Sequence, residues 1–133
     1  MDTHVLVWWW AGDSQLPRSY ADLLGQLVER GEPAAISDIS LWEIAMLVDR
    51  GRLEVAATVD TFLSEIEDHA AVQVLPIDGR IAAESTRLGP SFPRDPADRI
   101  IGATARCHGL PLMTLDRRIR DSGVISIIPN GHL

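Results

Sequence analysis

Short apolar runs and amphipathic stretches take turns along the chain, the pattern of strands alternating with helices. The first run, Val5 to Trp10, is too apolar for a single buried face. On a helix three consecutive tryptophans span ~200° of arc, so at least one is expected to point away from the core of an isolated domain and to mark a partner surface. Leu23, Leu24, Leu27 and Val28 predict a second helix from about Pro17 or Arg18 to Arg30, with Gly31 as its stop. Residues 33–37 read as a short buried strand. Ser40-Leu41-Trp42-Glu43 has the spacing of a capping box and opens a helix through Met46, Leu47 and Val48 to Gly51. Residues 58–69 form an amphipathic helix on Val59, Phe62, Leu63 and Ile66. Residues 71–75 alternate as a strand, and Asp78 is placed to cap a helix over residues 80–88.

The second half is organised around residues 94–105. Asp95 is a good N-cap, Pro96 suits the first helical position and Asp98 falls at N3. On that helix Asp98, Ile101, Gly102 and Ala105 share one face, a carboxylate at the head of a stripe of small residues that allows close packing. Asp98 alone reads as an acid serving the helix terminus. Residues 110–115 then form a strand ending at Asp116, which can cap a short helix over residues 117–121, and residues 124–128 form a last strand.

Strands alternating with helices imply a parallel sheet with helices on both faces, and ligands of such sheets bind beyond the carboxyl ends of the strands. Asp2, Glu43 and Asp116 lie in strand-to-helix turns or one turn into the helix, and Asp98 reaches the same edge through the loop before it. Four carboxylates gathered there repel one another unless a cation sits among them. Hard oxygen donors without clustered thiols or imidazoles suit Mg²⁺ or Mn²⁺ rather than zinc. Such an ion takes its remaining ligands from substrate phosphate, which suits phosphodiester hydrolysis. Thr3, Ser40 and Thr114 sit within three positions of these acids, where their hydroxyls can orient them.

Length and charge narrow the classes. At 133 residues the chain fits one domain with a real core, and no apolar run reaches the ~18 residues of a membrane span. The single cysteine, Cys107, excludes an intrachain disulfide and fits a reducing cytoplasm. The net charge of −7 opposes non-specific binding to a polyanion. Between Arg94 and Arg120, however, six arginines face three acids. Arg99 and Arg117, each beside an acid of interest, are the candidates for a substrate phosphate, while Arg106 and Arg120 read as solvated surface. All twelve basic residues are arginine, so lysine-dependent P-loop or Schiff-base chemistry is excluded.

Asp2-Thr3-His4 with the tryptophan run, Ile36-Ser37-Asp38-Ile39-Ser40-Leu41-Trp42-Glu43, Arg94-Asp95-Pro96-Ala97-Asp98-Arg99, and Leu112-Met113-Thr114-Leu115-Asp116 together resemble a PIN domain of the VapC type. The resemblance implies one PIN-like domain over residues 1–133, an α/β fold built as a three-layer α/β/α sandwich on a central parallel sheet. It implies a Mg²⁺-dependent endoribonuclease, with Mn²⁺ able to substitute, whose catalytic and metal-binding acids map onto Asp2, Glu43, Asp98 and Asp116. It also implies a cytoplasmic toxin that acts on RNA, forms a homodimer, has no membrane association and is held by a cognate antitoxin. Trp8, Trp9, Trp10, Met46 and Leu47 are the expected partner surface. In one respect the chain departs from the family: only Met1 precedes Asp2, whereas a strand commonly takes ~5–6 residues, so the N-terminal strand is expected to be truncated. The competing readings are a metal-dependent phosphatase or phosphoacceptor domain, which the absence of lysine disfavours, and a catalytically silent antitoxin-binding decoy whose acids are only caps.

Overall fold

The computed structural model describes residues 1–130; the last three residues of the single domain expected over 1–133 lie outside the described residues. Helix α1 (Thr3–Ala11) begins directly behind Asp2, whose Oδ1 accepts from the Val5 amide at 3.0 Å and so satisfies one of the orphan donors of the first turn. It stops at Gly12, where φ of 64° turns the backbone so that the amides of Gly12 and Asp13 close on the carbonyls of Trp9 and Trp8. Helix α2 (Arg18–Glu29) buries Tyr20 and Leu24. Strand β1 (Ala34–Ser37) leads into α3 (Ile39–Asp49), then α4 (Val59–Asp68) and β2 (Val72–Leu75). The two strands pair in parallel, Ala34 opposite Val72 and Ser37 opposite Leu75, and α3 with α4 supplies the crossover that a parallel pair requires. Helices α5 (Gly79–Ser85), α6 (Pro96–Cys107) and α7 (Arg117–Ser122) follow.

Side chains on consecutive residues show how the layers are arranged. Leu112 joins Phe92, Ile101, Ala105 and Ile119 under α6 and α7, whereas Met113 joins Val5, Tyr20 and Leu24 under α1 and α2. Helices therefore cover both faces. A third cluster, Leu6, Ile36, Ile44, Ile66 and Val72, ties α1, α3 and α4 to the paired strands.

Two expectations are corrected. The strands expected over residues 110–115 and 124–128 shrink to a single parallel bridge between Leu112 and Ile127. The Leu112 amide bonds Ser126 and the Ile128 amide bonds Leu112, both at 2.8 Å. On the side of Leu112 away from that bridge no continuous strand lies among the described residues to lengthen the ladder. Instead an apolar slot of about 530 Å³ separates the bridge from β1, and Met1 lies on its wall. The Met1 ammonium donates to the Ala35 carbonyl at 2.9 Å and the Asp2 amide to the Met113 carbonyl at 3.1 Å, so these two residues span the slot at one end.

The second correction concerns α3. Ser40 lies inside the helix rather than at its N-cap, which is Asp38 without a side-chain cap bond. The capping box therefore does not form, and Ser40, fully buried, turns to Thr3 instead. The small-residue stripe of α6 has a specific cause: a Cβ on Gly102 would stand 2.7 Å from the tip of the buried Phe92 ring.

Candidate active site

Four carboxylates reach one end of the sheet by four routes. Asp2, only 9% exposed, is held at both oxygens, by the Val5 amide at Oδ1 and by the Thr114 hydroxyl at Oδ2. Glu43 rises from the first turns of α3, where the Thr3 hydroxyl donates to Oε1 at 2.5 Å and lies 2.9 Å from the Ser40 hydroxyl. Asp116 ends the Leu112 segment and caps α7, accepting the Arg118 amide at 2.9 Å, while its own amide donates to the Thr114 hydroxyl at 3.1 Å. Asp98 stands at N3 of α6. Its amide donates to Asp95 Oδ1 at 3.0 Å, so Asp95 is the cap and the Asp98 carboxylate is left to face the cleft. Thr3, Ser40 and Thr114 thus all bond within the cluster, Thr114 joining Asp2 to Asp116 and Thr3 joining Ser40 to Glu43.

The cleft these acids line measures about 400 Å³ and is completed by Thr3, His4, Trp8, Asp95, Ile101, Leu115 and Arg118. Its electrostatics follow from crowding. Burial, with the charges of Asp95, Asp116 and Glu43, raises Asp98 from 3.8 to about 7, against a smaller pull from Arg118. Burial also raises Glu43, with the Thr3 hydrogen bond partly offsetting it. Asp116 goes the other way: partial burial works against its charge, but hydrogen bonds from Arg118 outweigh it and hold the carboxyl below its usual value. The Met1 amine, buried behind Asp2, is lowered from 8.0 to about 6 by loss of hydration, although the Asp2 charge opposes this.

The basic and aromatic residues fall differently from expectation. Arg99 is not among the residues lining the cleft and donates to the carbonyls of Gly89 and Phe92 at 3.1 and 3.2 Å, with a longer contact to Ser85, clamping the loop before α6. Arg117 is exposed and is not among the residues lining the cleft. The arginine at the acids is Arg118, 3.1 Å from Asp116. The sequence offers one sign of it, an arginine two residues beyond a helix-capping acid. Arg120 is not free surface: it donates to the Thr114 carbonyl at 2.9 Å and the Tyr20 hydroxyl at 3.0 Å.

None of the three consecutive tryptophans is fully exposed. Trp8 lines the cleft, its ring 5.9 Å from that of His4. Trp9 packs between two core clusters, and Trp10 meets His69 edge-on at 5.0 Å. Met46 and Leu47 are half-buried. The large apolar side chain most exposed among the described residues is instead Trp42, at 56%, the neighbour of Glu43.

The PIN domain family model matches residues 1–124. The chain belongs to the PIN-domain family. Within it the chain is of the VapC type, 38% identical over 120 residues to Ribonuclease VapC22 of Mycobacterium tuberculosis (strain ATCC 25618 / H37Rv), a match covering 90% of this chain and 88% of that protein. A structure of FitAB bound to IR36 DNA fragment superposes with a TM-score of 0.66 over 99% of this chain and 94% of that one, at 21% identity. The likeness establishes the three-layer α/β/α PIN fold.

The donor set of this PIN domain fits a hard divalent ion: carboxylate and hydroxyl oxygens, with no thiol and one imidazole on the cleft wall. Among the described residues no three acidic or imidazole side chains close around one point as a ready-made cage. A hard divalent ion that keeps several of its waters needs only one or two protein carboxylates.

Proposed function

We propose that this chain is a divalent-metal-dependent endoribonuclease that acts as the toxin of a toxin–antitoxin pair. The observation that carries the reading is the cleft in which Asp2, Glu43, Asp98 and Asp116 meet beside Arg118 and Trp8. The PIN match and the VapC22 relative support it. A magnesium or manganese ion would be held by Asp2, Glu43, Asp98 and Asp116, and would supply polarisation of the phosphate and acidification of the attacking water.

The chain's own groups do the positioning. Thr114 and Val5 fix Asp2 at both oxygens, so its geometry is set before substrate arrives. Glu43, anchored at Oε1 by Thr3, keeps its second oxygen to orient a water. Arg118, exposed beyond its pairing with Asp116, can swing to a phosphate oxygen, the role the sequence reading gave to Arg99 and Arg117. Trp8 offers its ring to a base flanking the cut. The decoy reading, in which the acids are only caps, leaves Asp98 without a role, because Asp95 already caps α6.

In this reading the antitoxin surface includes the exposed Trp42 of α3 together with the half-buried Met46 and Leu47 further along the same helix, and the homodimer and a cytoplasmic location belong to the same reading. Among the described residues no helix is long and apolar enough to cross a membrane. The test is cleavage of total cellular RNA by the purified, antitoxin-free chain, mapped by end sequencing. Discrete cuts that need Mg²⁺ or Mn²⁺ and vanish in Asp98→Asn are expected. Cuts that persist in Asp98→Asn or under chelation would overturn the reading.

A further inference from the structure

Arg120 is not among the residues lining the cleft, yet one residue ties it to the acids there. It sits in α7, half-buried, and its Nη1 donates both to the Thr114 carbonyl at 2.9 Å and to the Tyr20 hydroxyl at 3.0 Å. The Tyr20 hydroxyl in turn donates to the Ile128 carbonyl at 2.6 Å and lies 3.2 Å from the Thr114 carbonyl. Four pieces of chain meet at this node: α2 through Tyr20, α7 through Arg120, and the segments that carry Thr114 and Ile128. Tyr20 and Thr114 are both fully buried. Neither partner of Nη1 is a carboxylate, so the guanidinium gives up part of its hydration for two neutral oxygens. A charged donor makes the stronger kind of hydrogen bond, and here it is aimed at a backbone carbonyl in the core.

The other end of Thr114 faces the acids. Its hydroxyl donates to Asp2 Oδ2 and accepts the Asp116 amide at 3.1 Å. Threonine is branched at Cβ and stiff about χ1, so holding its carbonyl also fixes where its hydroxyl stands. The backbone of Arg120 adds a second constraint. Its amide donates to the Asp116 carbonyl at 3.0 Å while its side chain returns to Thr114, which closes a bracket around Asp116. A loosened Thr114 would release Asp2 and Asp116 together.

We infer that Arg120 is a positioning residue: with Tyr20 it anchors the Thr114 carbonyl, and through the Thr114 hydroxyl it sets how Asp2 and Asp116 stand at the cleft. The inference rests on the proposed reading that these acids hold the metal. It adds two residues, Arg120 and Tyr20, that act on the site from behind it, since neither lines the cleft.

Two readouts test it, and one of them needs no metal. In metal-free protein, hydrogen exchange at the Asp116 amide should quicken by about fivefold or more in Arg120→Met and in Tyr20→Phe. The Ala34 and Asp38 amides, which bond the carbonyls of Ala71 and Leu75, should exchange as in wild type. Mn²⁺ affinity, read from the electron paramagnetic resonance signal of the free ion, should fall about tenfold in Arg120→Met, the low end for a group behind the ligands. Arg120→Lys, which offers one nitrogen in place of Nη1, should bind Mn²⁺ with an affinity between those of Arg120→Met and wild type. In the double variant Arg120→Met, Thr114→Val the loss should equal that of Thr114→Val alone, because both act through one hydroxyl. Affinity for a single-stranded RNA, measured without metal, should match wild type.

An unchanged Asp116 amide, equal Mn²⁺ affinity in wild type and Arg120→Met, Arg120→Lys no better than Arg120→Met, or additive losses in the double variant would each overturn the inference. So would RNA affinity that falls in step with Mn²⁺ affinity, which would make Arg120 a substrate contact. Any of these beside metal-dependent cutting by wild type leaves the proposed function standing. Failure of the proposed function shows differently, as a wild-type chain that neither binds Mn²⁺ nor cuts RNA, and it removes the inference with it.

Discussion

Asp98 is the residue whose chemistry is most altered by its surroundings. Its carboxyl in the folded protein titrates near 7 instead of 3.8 because burial and three neighbouring acids disfavour the charge. A raised acid binds its proton more tightly folded than unfolded, so it favours folding at low pH and loses that advantage as pH rises from about 4 to 7. Glu43 acts in the same direction. The Met1 amine, lowered to about 6, acts oppositely between pH 6 and 8, so the comparison must isolate Asp98. In metal-free protein, the stability of wild type relative to Asp98→Asn is expected to fall as pH rises through that window in urea titrations. A flat difference would remove Asp98 from the crowded site. On the substrate side, Trp8→Leu should raise KM roughly tenfold with kcat little changed, the size of one lost base stack. Unchanged KM would take the ring out of the RNA path. That the four acids gather at one cleft was legible because each sits at or near the start of a helix, a position that caps and periodicity encode. Trp8 and Arg118 were not. Which of three identical rings meets the cleft depends on how α1 is rotated by its Asp2 cap, and the pairing of Arg99 with backbone carbonyls was hidden because they come from a loop whose course spacing does not reveal.

At the scale of elements, α6 is the piece on which the site depends, and its seating depends on the absence of a side chain. Gly102 leaves room for Phe92, which is 1% exposed and cannot swing aside into solvent. Gly102→Ala should therefore destabilise the fold by about 1–3 kcal/mol despite alanine's better helix propensity, as read by urea denaturation. A neutral or stabilising result would mean that the Phe92 ring moves freely. Most helices were readable from caps and periodicity: Asp78, Asp95 and Asp116 each accept the backbone amide expected of them. The strands at residues 110–115 and 124–128 were not, because a strand exists only with its neighbours. Alternation in the sequence says nothing of whether the adjoining place is filled. Ser40 misled for a related reason: a serine three residues before a glutamate looks like a cap, yet tertiary packing offered its hydroxyl to Thr3 instead.

The whole molecule carries a net charge of −7, so it binds a polyanion through a few groups rather than through a broad basic surface. If Arg118, alone or with one more cation, meets the backbone, one or two phosphates are neutralised. For a single strand the affinity should then fall only about three- to sevenfold between 50 and 200 mM salt, measured by fluorescence anisotropy with Asp98→Asn to prevent turnover. A loss of a hundredfold or more would reveal a basic surface that the cleft does not contain. The most direct test of the central claim, that these acids direct a metal-assisted attack of water on RNA, is the end-group chemistry of the products from one defined single-stranded RNA. The account predicts 5′-phosphate and 3′-hydroxyl ends, formed with Mg²⁺ or Mn²⁺ and lost in Asp98→Asn. Cyclic 2′,3′-phosphate ends formed in the presence of chelator would contradict it, because they arise from attack by the RNA's own 2′-hydroxyl.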